Sequence, residues 1–269
     1  MAATDKVFAG SIPEFYDRFL VPMIFEPYAL DLAQRVAVAH PSDVLETAAG
    51  TGVATRAIAA RLPAGTHIVA TDLNQPMLDY AATRQPQDRP VTWQQADALA
   101  LPFPDQSFDA VACQFGAMFF PNKVKGYSEA RRVLRPGGRF CFNVWDRIST
   151  NEFADVVIES LAAVFPDDPP RFLARTPHGY HDTDLIRRQL AEAGFSDIAA
   201  DAVEHRSKAA SPQLPAVAYC QGTPLRNEIE ARDAARLEEA TNKAADAIAR
   251  KFGSGAVDGR IRAFVFTAS

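Results

Sequence analysis

The sequence predicts an α/β protein built on a doubly wound, mainly parallel sheet. Three observations carry that expectation. Between residues 43 and 145 short apolar runs alternate with helical patterns, the spacing of parallel crossovers. A turn of small residues, Gly50-Thr51-Gly52, joins the first apolar run to the first helix of this region. Acidic residues stand at or near the carboxyl ends of the first three runs: Glu46, Asp72 and Asp97. The order of the strands in space does not follow from this pattern.

Taken in order, residues 12–40 read as two helices, with Pro27 suited to the first turn of the second. Asp43 to Thr47 reads as a strand. Val53 to Leu62 is Ala-rich and helical, and Pro63 and Gly65 end it. A strand at His67 to Thr71 precedes a helix at Gln75 to Arg84. Strands follow at Val91 to Gln95 and Phe108 to Cys113, then a helix from Lys123 to Leu134. Pro136-Gly137-Gly138 is a turn signal, and Arg139 to Trp145 is a fifth strand. Beyond it, helices are expected at Glu152 to Phe165 and Thr183 to Ala193. Asp182 is the expected cap of the second, and Gly194 its stop. Residues 197–206 read as a strand, 227–252 as one long amphipathic helix, and Arg260 to Thr267 as a last apolar strand.

Composition narrows the function. The chain has 269 residues, enough for one large domain or two small ones. A hydrophobic share of 48% with 23% charged residues excludes a disordered, collagenous or coiled-coil chain. A net charge of -5 gives no whole-chain footprint for nucleic acid, and none is expected as partner. No apolar stretch approaches the roughly 20 residues that span a bilayer. The opening MAATDKVFAG lacks the apolar region of a secretory signal. Three scattered cysteines suit neither a disulfide framework nor a zinc cluster, so a cytoplasmic setting is expected and no metal.

The chemistry concentrates in V-L-E-T-A-A-G-T-G-V-A-T, Val44 to Thr55. Gly50 and Gly52 let backbone turn tightly and approach a ligand. The dinucleotide pattern G-x-G-x-x-G is absent. Glu46 would repel a pyrophosphate but suits an ammonium group. Asp72, in A-T-D-L-N-Q-P-M-L, can accept hydrogen bonds from both hydroxyls of a ribose. Asp97, in Q-A-D-A-L, can accept from the exocyclic amine of adenine, with Leu73, Met77 and Ala98 around the ring. The ligand implied is a nucleoside with a cationic amino-acid tail.

The stretches LETAAGTG, ATDLNQPML, QQADALALPFPDQSFDAVACQFG and EARRVLRPGGRFCFNVW, within 43–145, resemble class I S-adenosylmethionine-dependent methyltransferases. They are most similar to the small-molecule group with ubiquinone/menaquinone-biosynthesis-type enzymes. The segment TDLIRRQLAEAGF fits that family's helix before its sixth strand. The resemblance implies a Rossmann-like, doubly wound seven-stranded sheet whose last strand, here Arg260 to Thr267, is antiparallel. It implies one methyltransferase domain over 1–269. The core would come from 41–146, 183–207 and 259–269, and a helical cap or lid from 1–40, 147–182 and 208–258. The cofactor implied is S-adenosylmethionine, with S-adenosylhomocysteine as product. Thr51 and Asn74 join the cofactor positions through their places in the motifs, Gln114 and Phe115 through theirs after the fourth strand. Tyr16 is a candidate lid residue over the cofactor. Ala48 departs from the family, which usually has Gly there, and adds a methyl close to the cofactor tail.

The expected function is in-line methyl transfer to a small-molecule acceptor, an apolar or aromatic one being suited to the phenylalanines. Met118, Phe119, His178 and His181 are candidates for the acceptor pocket. No catalytic residue is assigned, because the methyl of a sulfonium is already activated and positioning can carry much of the catalysis. A tRNA or protein methyltransferase and a non-catalytic cofactor-binding regulator are the alternatives. Ala112-Cys113-Gln114 lacks the proline of a Pro-Cys nucleophile. Asp168-Pro169-Pro170-Arg171 lies after the wrong strand for an Asp-Pro-Pro-Tyr motif and lacks its aromatic. His178, His181, Asp182 and Asp184 match no strong metal spacing, and Arg226 to Arg236 reads as a solvated face. The long helix at 227–252 suits either a lid or the interface of a homodimer.

Overall fold

The computed structural model describes residues 12–269. The stretch MAATDKVFAG, read above for a secretory signal, lies outside them. The chain divides into two compact units. The sheet unit comprises Glu26–Val144, His181–Val203 and Ala263–Ser269. The helical unit comprises the described residues up to Phe25, Trp145–Tyr180 and Glu204–Arg262.

In the sheet unit β1 (Asp43–Thr47) pairs in parallel with β2 (His67–Asp72) and with β4 (Phe108–Gln114). β2 pairs with β3 (Thr92–Gln95), and β4 with β5 (Leu134–Trp145), also in parallel. With β6 (Ile198–Ala209) and β7 (Val257–Ala268) the sheet has seven strands in the order β3-β2-β1-β4-β5-β7-β6. It is mixed, with the last strand antiparallel, as the resemblance implied. The winding reverses between β1 and β4, and such a switch point opens a ligand crevice at the carboxyl ends of the strands.

The core follows from residue size. Val44, Leu45, Ala110, Val111, Ala112 and Cys113 are fully buried, the continuous apolar run of a strand covered on both faces. One face is covered by α2 (Glu26–Ala37) and α3 (Val53–Arg61), whose Leu32, Ala33, Val36, Ala54 and Ile58 pack on Val44, Ala110 and Cys141. Elsewhere in the unit the core is aromatic. Phe140 stacks on Phe142 at 4.7 Å, Phe142 on Phe266 at 4.9 Å and Phe140 on Phe195 at 5.8 Å. Tyr127 of α5 (Lys123–Val133) tilts against Phe142 at 5.3 Å. At the amino ends of β1 and β4, Asp109 accepts the N–H groups of Ser42 and Asp43, and Arg135 bridges Asp109 and Asp43 at 2.7 and 2.8 Å.

The turn expected at Pro136-Gly137-Gly138 lies inside β5. Phe108 faces Leu134, but Ala110 faces Arg139, so residues 135–138 oppose Asp109 alone. A turn signal there marks a bulge, because the strand is already paired before it. Asp182 caps α8 (Thr183–Glu192) as expected, accepting the N–H groups of Asp184 and Leu185 at 3.0 Å.

In the helical unit, which also holds the short helices α1 (Ile12–Phe15) and α7 (Phe172–Arg175), α6 (Glu152–Val164), α9 (Gln213–Gln221) and α11 (Leu237–Phe252) pack on one another. The ring of Phe153 lies 3.0 Å from where a Cβ on Gly259 would stand. The single helix expected at 227–252 is broken. α10 (Leu225–Asp233) ends where Asp233 takes extended angles and its carboxylate accepts the N–H of Ala235 at 3.0 Å. An aspartate that can bond its own backbone locally competes with the helix, and charge periodicity does not reveal that. The helix α9 was not expected at all.

Candidate cofactor site

The site is built at the carboxyl edge of the sheet unit. After β1 the chain turns sharply: Ala48, Gly50 and Gly52 have φ of 54°, 56° and 78°. The turn is tied to β2, since Ala49 N–H donates to Thr71 O at 2.9 Å. Gly52 opens α3, and a Cβ there would stand 3.0 Å from Trp93 and 3.1 Å from Ala81. The Arg56 guanidinium donates to Thr51 O at 2.7 Å, bracing the turn from the helix side.

Asp72 connects two loops. Its Oδ2 accepts Gly50 N–H at 2.9 Å, and its Oδ1 accepts the backbone N–H of Asn74 at 2.8 Å and the Asn74 amide at 3.2 Å. The motif alone offers Asp72 as a candidate ligand group; what the structure shows is that it shapes the loop between β1 and α3. Leu73 beside it is 45% exposed, whereas Met77 is buried. Gln95 donates to Leu73 O at 2.9 Å. Asp97 is exposed and accepts Leu99 N–H at 2.9 Å, with Ala98 half-buried beside it. The loop that follows is clamped to α5. Glu129 accepts Leu101 N–H and pairs with Arg132, which also donates to Leu101 O and Phe103 O. Those bonds hold the Glu129 carboxyl down to about 2.

Glu46 is fully buried, and neither of its carboxylate oxygens meets a hydrogen-bonding partner among the described residues. Burial pushes its carboxyl up to about 8, against the nearby charge of Arg56, which acts to lower it. The hydroxyls of Thr51 and Thr55 are buried too, with no hydrogen-bonding partner among the described residues. An uncompensated carboxyl in low dielectric is costly unless a positive group arrives. That is the observation which fits a cationic tail. Asp72 is also raised, again chiefly by burial.

Ala48, the departure from the family pattern, packs against the turn after β4. A Cβ placed on Gly116 would stand 2.3 Å from the Ala48 methyl and 2.9 Å from Cys113 Sγ. Gly116→Ala is therefore expected to cost about 1–3 kcal/mol. Adding Ala48→Gly should recover more than half of that loss, with Ala48→Gly alone close to neutral. Urea unfolding of the three variants checks this, and additive losses in the double variant would show that the two positions do not share one space.

The structure therefore brings Glu46, Ala48, Gly50, Thr51, Gly52, Asp72, Leu73, Asn74, Met77, Asp97, Ala98, Gln114 and Phe115 into the sheet unit. Tyr16 and His178 belong to the helical unit. There Tyr16 stacks on Phe25 at 4.8 Å, and His178 Nδ1 bonds Asp146 O at 2.8 Å. His181 lies in the sheet unit, next to the cap of α8. Sequence reasoning missed Asn143, whose Oδ1 accepts Phe115 N–H at 2.8 Å. Its only signal was a polar residue inside the aromatic run Phe140-Cys141-Phe142-Asn143-Val144-Trp145. Among the described residues no three His, Cys, Asp or Glu side chains stand together as metal ligands, and no helix is long and apolar enough to cross a membrane.

A buried acid beside a glycine turn, with further acids at the end of β2 and just after β3, fits an α/β protein that binds a nucleoside ending in a cation. Comparison with known proteins agrees. Residues 45–142 match the family model described as a methyltransferase domain. A demethylmenaquinone methyltransferase of Clavibacter sepedonicus is 33% identical over 173 residues, covering 61% of this chain and 67% of that protein. Its counterpart in Thermus thermophilus is 33% identical over 178 residues, covering 62% and 79%. Among solved structures, the YcgJ protein of Bacillus subtilis matches with a TM-score of 0.56 at 18% identity, covering 90% of this chain and 97% of that one. A Haemonchus contortus phosphoethanolamine N-methyltransferase, solved with S-adenosyl-L-methionine, matches with a TM-score of 0.61 at 16% identity, covering 100% and 60%. These structural likenesses bear on the fold.

The chain belongs to the class I S-adenosylmethionine-dependent methyltransferases. Its activity is methyl transfer from S-adenosylmethionine to a small-molecule acceptor.

Proposed function

We propose that the acceptor is a hydroxylated aromatic of the quinol type. The observation that carries this reading is the pair of relatives named as demethylmenaquinone methyltransferases, each 33% identical and matched over two thirds or more of its length. The apolar segment after β4 supports it. Phe115, Met118 and Phe120 are buried and Phe119 half-buried there, a lining suited to a flat apolar ring.

When bound, S-adenosylmethionine supplies a methyl group activated by its sulfonium. In this proposal Glu46 takes the ammonium of the cofactor tail. The turn Ala48 to Gly52 holds the tail, and Asp72 accepts from the ribose. Asp97 and Ala98, with Leu73 and Met77, hold the adenine. Gln114 and Phe115 border the transferred group, and Met118 and Phe119 face the acceptor. The work of the chain is alignment and exclusion of water. A reducing, cytoplasmic setting accords with three cysteines that are all free and buried.

The test is mass spectrometry of products after incubation with S-adenosylmethionine and, separately, a reduced 1,4-naphthoquinone, a reduced benzoquinone, amines and thiols. A gain of one methylene on a quinol is expected. Methylation of amines or thiols with none on quinols would overturn the acceptor class.

A further inference from the structure

The segment that follows β4 is held in a costly conformation from several sides. Phe115 has φ of 50°, in the left-handed region that a bulky side chain enters only at a cost. Its N–H donates to Asn143 Oδ1 at 2.8 Å. Asn143 is the register partner of Gln114 on the neighbouring strand and is fully buried. Its Nδ2 meets no partner among the described residues. A polar side chain half-satisfied in an aromatic strand costs more than a valine or phenylalanine would. The bond to Phe115 is what it provides in return.

The far end of the segment is held by Lys123. Its Nζ donates to Met118 O at 2.8 Å and to Phe120 O at 2.6 Å. Met118 lies within the single turn Ala117–Phe119 and Phe120 just after it, so the ammonium ties down the carboxyl end of that turn. Between the two anchors Gly116 fits against the Ala48 methyl. The edge of Tyr28 meets the Phe115 ring at 5.3 Å. Strain over-determined by its surroundings is a mark of functional segments.

The geometry points to Asn143 and Lys123 as positioning residues of methyl transfer. They fix residues 115–120 as a preformed wall, so that the acceptor is aligned without the segment having to order itself in each turnover. This rests on the proposed placement of that segment beside the acceptor. Asn143 acts through the Phe115 peptide and Lys123 through two carbonyls.

Four proteins test it: wild type, Asn143→Leu, Asn143→Asp and Lys123→Met. Leucine keeps the size and removes the acceptor oxygen, whereas aspartate retains one. Methionine keeps the apolar stem of Lys123 and removes the ammonium. Hydrogen exchange over residues 115–120, S-adenosylhomocysteine affinity by calorimetry, and kcat and KM on the quinol that turns over best are measured. Asn143→Leu and Lys123→Met are expected to speed exchange in that segment about tenfold or more and to lower kcat by about 10- to 100-fold. S-adenosylhomocysteine affinity should stay within about threefold, and Asn143→Asp should restore most of the kcat. Unchanged exchange in the segment overturns the proposal. So does a kcat that follows only the loss of folded protein, or an aspartate variant no better than leucine. Should no quinol turn over with wild type, the acceptor class falls, and exchange with binding still decides whether the two side chains hold the wall. Lys123→Met reports independently should Asn143→Leu fail to fold.

Discussion

Replacing Asp72 by asparagine is expected to weaken S-adenosylhomocysteine binding about a hundredfold. Two effects combine. The charged acceptor proposed for the ribose is lost, and a hydrogen bond to a charged group is worth about 1.5–3 kcal/mol. Each 1.4 kcal/mol is a factor of about ten in affinity. The loop also suffers, because Asp72 uses one oxygen on Gly50 N–H and the other on Asn74. Asparagine can serve one of these, but its amide then turns a donor toward the other. A stability loss of about 1–3 kcal/mol should accompany the loss of binding. Calorimetry and urea unfolding on the same preparation separate the two. Affinity within about threefold of wild type would remove Asp72 from the cofactor site.

The second large effect concerns pH. The Glu46 carboxyl is raised to about 8 by burial, so near neutrality it is mainly protonated before a cation arrives. An ammonium group favours the carboxylate, and binding then expels a proton. Affinity for S-adenosylhomocysteine should rise with pH between 6 and 8, approaching tenfold per unit at the steepest. Glu46→Gln should bind more weakly and without that slope. Stability of the free protein runs the other way. The folded carboxyl sits above its unfolded value, so the folded state holds the extra proton in between. The contribution is complete below about 4.5 and is lost as pH rises through about 8. Glu46→Gln should lack this decline. Calorimetry in buffers of different ionisation enthalpy reads the expelled proton directly, and a wild-type affinity flat across this range would sink the assignment.

Much of the sheet unit was legible because its signals are local. The bounds of β1 and α4 (Gln75–Arg84) are those the sequence suggests, since apolar runs there are cut by Pro, Gly and polar caps. Glu46, Gly50, Gly52, Asp72 and Asp97 stand out as candidates because each lies at or just after the end of a strand. The missed features depend on partners distant in sequence. Asn143 matters through Phe115, on the adjacent strand. The bulge at 135–138 exists because Asp109 faces four residues at once. The break at Asp233 is a choice between two local hydrogen-bonding schemes that helical periodicity does not resolve. Strand order, too, is a matter of pairing and left no trace in the pattern.

The clip formed by Asp43, Asp109 and Arg135 has a consequence for how such a protein can change. Asp43 begins the strand that Glu46 serves three residues later, about 10 Å away at the usual strand rise. Substitutions separated by that distance and sharing no partners act nearly additively. One end of β1 and β4 fastens the sheet, while the other carries the proposed cofactor site. Robustness can thus be gained or lost at the fastened end with little effect on affinity at the other. That separation leaves the ligand end free to drift toward new acceptors on an unaltered frame.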